Sequence, residues 1–181
     1  MDAMLRSVWG ACLLLVAAFA SHAATPPEIG DLAPTALGQG WKSGPVDLAQ
    51  YRGKVVVVTF WASWCGPCRR ELPVLDALQK QVGGDWLKVI AVNAQDDTEN
   101  YRAMMRQMRD FGLVQARDRD GDISEAYGVN AFPNLWIIDP RGRVGSHHVG
   151  YGEGSTEAII EEIRRIVTEE IAHQQAPPPA A

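Results

Sequence analysis

Lys54-Val-Val-Val-Val-Thr-Phe-Trp61 is an unbroken run of β-branched and aromatic residues after its first lysine, with no glycine or proline inside it. Such a run does not alternate between apolar and polar residues. It therefore reads as a central strand covered on both faces, the pattern of an α/β sheet. The residues that follow change period. From Pro67, Leu72, Leu75, Leu78 and Val82 recur at helical spacing until Gly83-Gly84 stops them. A strand feeding a helix is thus fixed at the centre of the chain, with Cys65 just before the helix.

The order repeats downstream. Leu87 to Asn93 is a second apolar strand, and Thr98 to Phe111 is a helix with its cap at Asp97 or Thr98. Strand, helix and strand in succession imply parallel pairing. A short strand near Val114 to Ala116, a polar loop, a short helix around Ile123 to Tyr127 and a strand Leu135 to Ile138 come next. Asp139-Pro140-Arg141-Gly142 is a turn into Val144 to Val149, which predicts a hairpin. A last amphipathic helix, capped by Ser155 or Thr156, turns Ile159, Ile163, Ile166 and Val167 to the core. Upstream, Ala24 to Gly44 is an irregular lead-in with a short strand near Thr35 to Leu37.

The ends are read separately. Residues 1–23 carry Arg6, an apolar run from Val8 to Ala20 and the small-x-small group Ser21-His22-Ala23, the features of a cleavable secretory signal peptide. The run is too short for a spanning helix, which needs roughly 20 residues. Cys12 lies within it, without a Leu-led lipobox, and leaves with it. One domain is expected over 24–173, and residues 174–181, with three prolines, are expected to be a disordered tail.

The chemistry is concentrated in Trp64-Cys65-Gly66-Pro67-Cys68. Two cysteines three positions apart at a helix start can close a disulfide with little rearrangement. The helix N-terminus stabilises a thiolate through its unpaired N–H groups and positive dipole end. Pro67 suits the first helical turn, where its missing N–H costs nothing, and Gly66 lets a partner chain come close. Arg69 and Arg70 add positive charge nearby. Cys65, at the helix start and expected to be exposed, is the candidate attacking thiolate, with Cys68, one turn inside, as the resolving thiol.

The stretch Trp61-Ala-Ser-Trp-Cys-Gly-Pro-Cys-Arg-Arg-Glu-Leu-Pro73 resembles the active-site segment of the thioredoxin superfamily. Together with Leu48 to Lys54, Glu71, Pro73 and the signal peptide, it is similar to the TlpA/ResA-like branch of secreted thiol-disulfide oxidoreductases. The resemblance covers roughly Ile29 to Val167. It implies a thioredoxin-like fold, a central mixed sheet flanked by helices, with the extra helix and strand of that branch falling between Leu87 and Gly128. It also implies protein disulfide substrates gripped beside Trp64, Gly66, Pro67 and Phe132, with no bound cofactor and no metal. The setting it implies is periplasmic, and the function is reduction of extracytoplasmic disulfides, apocytochrome c among them, by a monomer fed by a membrane thiol donor. The Gly-Pro pair is that of thioredoxin, whose potential of about -270 mV implies a reductant.

Two further residues take roles from the resemblance. Pro133 stands before a strand, where the family carries a cis-proline facing the cysteines, leaving the Phe132 backbone able to bond an extended substrate; the alternative is an ordinary trans proline at a strand start. Cytoplasmic thioredoxins carry a buried aspartate six residues before the first cysteine, and here that position is Thr59. Glu71 is the candidate replacement, a carboxyl that exchanges protons with Cys68; the alternative is a solvated charge on the helix face.

Other patterns have plainer readings. His147-His148 on a strand point to opposite faces and cannot chelate one metal together. Met104, Met105 and Met108 fit ordinary packing, and Asp118-x-Asp120-Gly121-Asp122 reads as a turn, because a calcium loop would need its glycine later. At 181 residues, 46% hydrophobic and with a formal charge of -5, the chain has the make-up of one packed domain and no basic stripe for nucleic acid. Two other functions compete: a copper-binding or copper-carrier module using Cys65 and Cys68, and a peroxidase. A peroxidase wants threonine three residues before the cysteine, where Ala62 stands.

Overall fold

A computed structural model describes residues 25–150 and 155–175. The signal-peptide reading of residues 1–23 lies outside them. Seven strands form one mixed sheet in the order β2-β1-β5-β4-β3-β6-β7. β3 (Val55–Trp61) lies at its heart, paired parallel to β4 (Leu87–Ala94) and antiparallel to β6 (Asn134–Ile138), and every one of its residues is buried. β4 pairs parallel to β5 (Val114–Asp118), and β6 forms the expected hairpin with β7 (Val144–Val149).

The pleat of β3 divides the core. Val55, Val57 and Trp61 face α1 (Gly66–Val82), α2 (Thr98–Gln107) and α4 (Ser155–Gln175), packing with Leu72, Leu75, Met105, Ile159, Ile163 and Val167. Val56, Val58 and Phe60 face the other way, onto Leu37, Leu48, Tyr127 and Trp136. That second face is closed by the lead-in, a 3-10 turn at Leu48–Tyr51 and the short α3 (Asp122–Ala126), rather than by long helices.

Several boundaries differ from the sequence reading, each for a long-range reason. β1 (Ala36–Gly40) runs further than Thr35 to Leu37 and pairs with both β2 (Pro45–Asp47) and β5. Gly38 looks like a strand breaker, yet at φ +94 it sits where a Cβ would collide with the Arg117 carbonyl oxygen, so glycine permits the pairing. α2 stops at Gln107, short of Phe111, because α1 captures the chain beyond it: Asp76 Oδ1 accepts from the Gly112 N–H at 2.7 Å. α4 runs on to Gln175, past the expected start of the tail. Asp118 caps α3, its carboxylate accepting from the N–H groups of Gly121, Ile123 and Ser124, which accounts for the calcium-like run as a turn.

Gln79 shows how tightly α1 is tied to the sheet. The Val89 N–H lies beyond the end of β5 and gains no partner strand there; Gln79 Oε1 accepts from it at 2.7 Å, while Nε2 donates to the Gly112 carbonyl at 2.9 Å. Replacing Gln79 with leucine leaves a buried amide unpaired. It is expected to cost about 1–3 kcal/mol in urea unfolding, with the exchange rate of the cysteine pair nearly unchanged.

Candidate active site

β3 ends at Trp61, and a short loop delivers Cys65 to the N-cap of α1. Its backbone is extended there, and its Sγ accepts from the Cys68 N–H at 3.1 Å. Pro67 occupies the first turn, as helix geometry allows. Cys65 and Cys68 are joined as a disulfide with Cα atoms 5.3 Å apart. Around Gly66 the space is open, and a Cβ built there meets only the end of the Arg70 side chain.

The expected exposure of Cys65 is corrected. It is 4% exposed and Cys68 0%, both within the apolar cluster that contains Trp61, Ala62 and Leu72. The reason lies in the neighbouring loop: Phe132 packs against this cluster and meets the Trp64 ring edge-on at 5.7 Å. Trp64 itself is 63% exposed. Cys65 still holds the outer position, at the cap, whereas Cys68 lies inside the helix.

The Phe132–Pro133 peptide bond is cis. The Pro133 carbonyl accepts from the Gly150 N–H at 2.8 Å, which pins the loop to the end of β7. Trp64 and Phe132, far apart in sequence, are therefore brought together at the pair.

Glu71 is not on a solvated helix face. It is 3% exposed, and its Oε2 accepts from the Thr59 hydroxyl at 2.8 Å. Thr59 projects from β3 toward α1, so the acid comes from the helix and the sheet supplies a hydroxyl. Burial pushes the carboxyl up to about 7, against a smaller downward pull from the Thr59 hydrogen bond. Glu71 follows Cys68 by three positions, a spacing that places the two on one face of α1. A carboxyl that gains and loses a proton near neutrality, carried on the same helix as both sulfurs, has the chemistry of a general acid or base.

The other candidates fall elsewhere. His147 stacks on Trp136 with ring centroids 3.7 Å apart, and His148 turns to Glu162 of α4 at 2.8 Å, so the two point to opposite faces. Met105 and Met108 are buried in the core. Sequence reasoning missed a group next to the cysteine loop: Ser63, Asn93 and Asp96, joined by hydrogen bonds. Its one signal was position, because acids at the carboxyl ends of parallel strands gather at sites.

The chain matches the family model described as AhpC/TSA family over residues 29–147. It is 31% identical to the thiol-disulfide oxidoreductase ResA of Geobacillus thermodenitrificans over 122 residues, 66% of this chain and 68% of that protein. Against ResA of Bacillus thuringiensis the identity is 29% over 139 residues, covering 77% and 79% of the two chains. A solved structure from Chlorobium tepidum, assigned as the thiol:disulfide interchange protein DsbE, superposes with a TM-score of 0.71 at 34% identity, covering 78% of this chain and 99% of that one. Fold, sulfur pair and relatives together define a thioredoxin-like thiol-disulfide oxidoreductase. The chain belongs to the AhpC/TSA family.

Proposed function

We infer that this oxidoreductase works in the periplasm, released there by removal of residues 1–23, and passes two electrons from a membrane thiol donor to disulfides in extracytoplasmic proteins. The observation that carries the reading is the pairing of the Cys65–Cys68 disulfide at the cap of α1 with the buried acid Glu71 on the same helix. In the reduced protein the Cys65 thiolate attacks one sulfur of a substrate disulfide. The substrate S–S bond breaks, and its other sulfur leaves as a thiolate. Cys68 then loses its proton to Glu71 and attacks the Cys65 sulfur of the mixed disulfide, which releases the second substrate thiol and restores the internal disulfide. Phe132 and Trp64 flank the attacked substrate chain, and the Phe132 backbone offers it a strand-like partner. The protein acts as a monomer. An oxidised Cys-x-x-Cys-His segment, the haem-attachment sequence of an apocytochrome c, is a substrate of the right chemistry.

The test is the equilibrium of the Cys65/Cys68 couple with glutathione, made on secreted protein whose N-terminus is read by mass spectrometry. A potential near the thioredoxin value of about -270 mV, on a chain starting at Ala24, is the expected result. A potential near about -120 mV would make the protein a disulfide donor instead. A chain retaining Met1 would remove the periplasmic reading.

A further inference from the structure

Asp96 lies just past the end of β4, and its carboxylate gathers donors from two other parts of the chain. The Ser63 N–H reaches both oxygens, at 3.1 and 2.9 Å, and the Ser63 hydroxyl donates to Oδ1 at 2.8 Å. Asn93 Nδ2 donates to Oδ2 at 2.7 Å, and Asn93 is fully buried. The main chain at Asp96 is fixed as well. Arg117 of β5 donates to the Asp96 carbonyl at 2.9 Å and to the Thr98 hydroxyl at 3.2 Å. Gln95, the residue before, takes a left-handed φ of 64°, a conformation that a side-chain-bearing residue holds only when its surroundings impose it.

Ser63 stands two residues before Cys65, whose own N–H returns to the Ala62 carbonyl at 3.1 Å. The carboxylate therefore grips the turn that aims the outer sulfur. Both Ser63 donors are committed to Asp96 and are withheld from that sulfur. A negative charge also stands beside the loop carrying a group that becomes negative on reduction. The charged groups nearby are the buried Glu71 and the exposed Arg69 and Arg70 of α1, and the half-buried Arg117 of β5, whose guanidinium is held on the Asp96 carbonyl. Asp97, also exposed, spends its carboxylate on Asn100 at the cap of α2, and the loop from Ala131 to Asn134 contributes no charge.

We propose that Asp96 is a positioning residue for the exchange reaction, clamping the Cys65 loop through Ser63 and opposing the Cys65 thiolate with its charge. The proposal rests on the thiol-disulfide chemistry above and adds a restraint that keeps the pair reducing: disfavouring the thiolate disfavours the reduced form.

Asp96→Asn keeps the shape and removes the charge, and Asp96→Ala removes the clamp as well. Each is compared with the parent in the pH dependence of the reaction of Cys65 with a small aromatic disulfide, and in equilibrium with glutathione. In both variants the pH–rate midpoint is expected to fall by at least about half a unit and the equilibrium to move at least about threefold toward the dithiol. Profiles and equilibria coinciding with the parent's overturn the proposal whatever the melting temperatures do, since a merely structural tether would move only those. If the alanine variant does not fold, the asparagine variant decides. A parent protein that exchanges no disulfide overturns the underlying reading instead.

Discussion

Cys68→Ser is expected to accumulate mixed disulfides with protein substrates, all joined through Cys65, while Cys65→Ser accumulates none and falls to the background rate of exchange. Position decides this, since accessibility differs little between the two sulfurs. Cys65 sits at the cap of α1, where unpaired N–H groups face it and the Cys68 N–H already donates to its sulfur. Cys68 is enclosed within the helix and reaches only what Cys65 holds. Non-reducing electrophoresis with mass spectrometry of the trapped species measures the outcome. Equal trapping by the two variants would mean that the order of attack is not set at the helix cap.

Glu71→Gln is expected to change both the chemistry and the stability, with opposite value to the protein. The carboxyl is raised from 4.5 to about 7 by burial. The folded protein thus holds the proton more tightly than the unfolded chain does. The stability this contributes is fully present below about pH 4.5 and is lost as the pH rises through about 7. Glutamine never ionises. Relative to the parent, the disulfide form of the variant is therefore expected to gain about 3 kcal/mol between pH 4 and pH 8 in denaturant unfolding. The exchange rate should lose its dependence on a group titrating near 7, because thiol and acid ionise as a coupled set. A parent and variant with parallel stability curves across that range would mean that the acid is ionised as freely as on a surface.

How much of this was legible beforehand follows from the range of each interaction. The strand Val55–Trp61, the helix behind Cys65 and the β6–β7 hairpin are written in consecutive residues, and they fold as read. The sulfur pair was visible in the same way, within a few consecutive positions, whereas Pro133 and Glu71 drew their candidate roles from the resemblance alone. Glu71 remained open between core and solvent until Thr59, twelve residues away, supplied the contact that places it. β1 was under-read because its glycines suit a partner strand some eighty residues further on. Asp96 and Ser63 are 33 residues apart, and neither residue type announces the other. The exposure of Cys65 was misjudged for the same reason, since the loop at Phe132 that packs over its cluster belongs to the far side of the chain.

Cys65, Cys68 and Glu71 fall within seven consecutive residues, the cap and first two turns of α1, and β3 adds the Thr59 hydroxyl. The two sulfurs and the buried acid therefore share one helical frame. Lengthening a loop at the far end of the sheet leaves the spacing of the three along the helix unchanged. The reactive unit travels as one cartridge, aimed from outside by the Asp96–Ser63 contact, and the surfaces beyond that contact are free to diverge in what they bring to the opening.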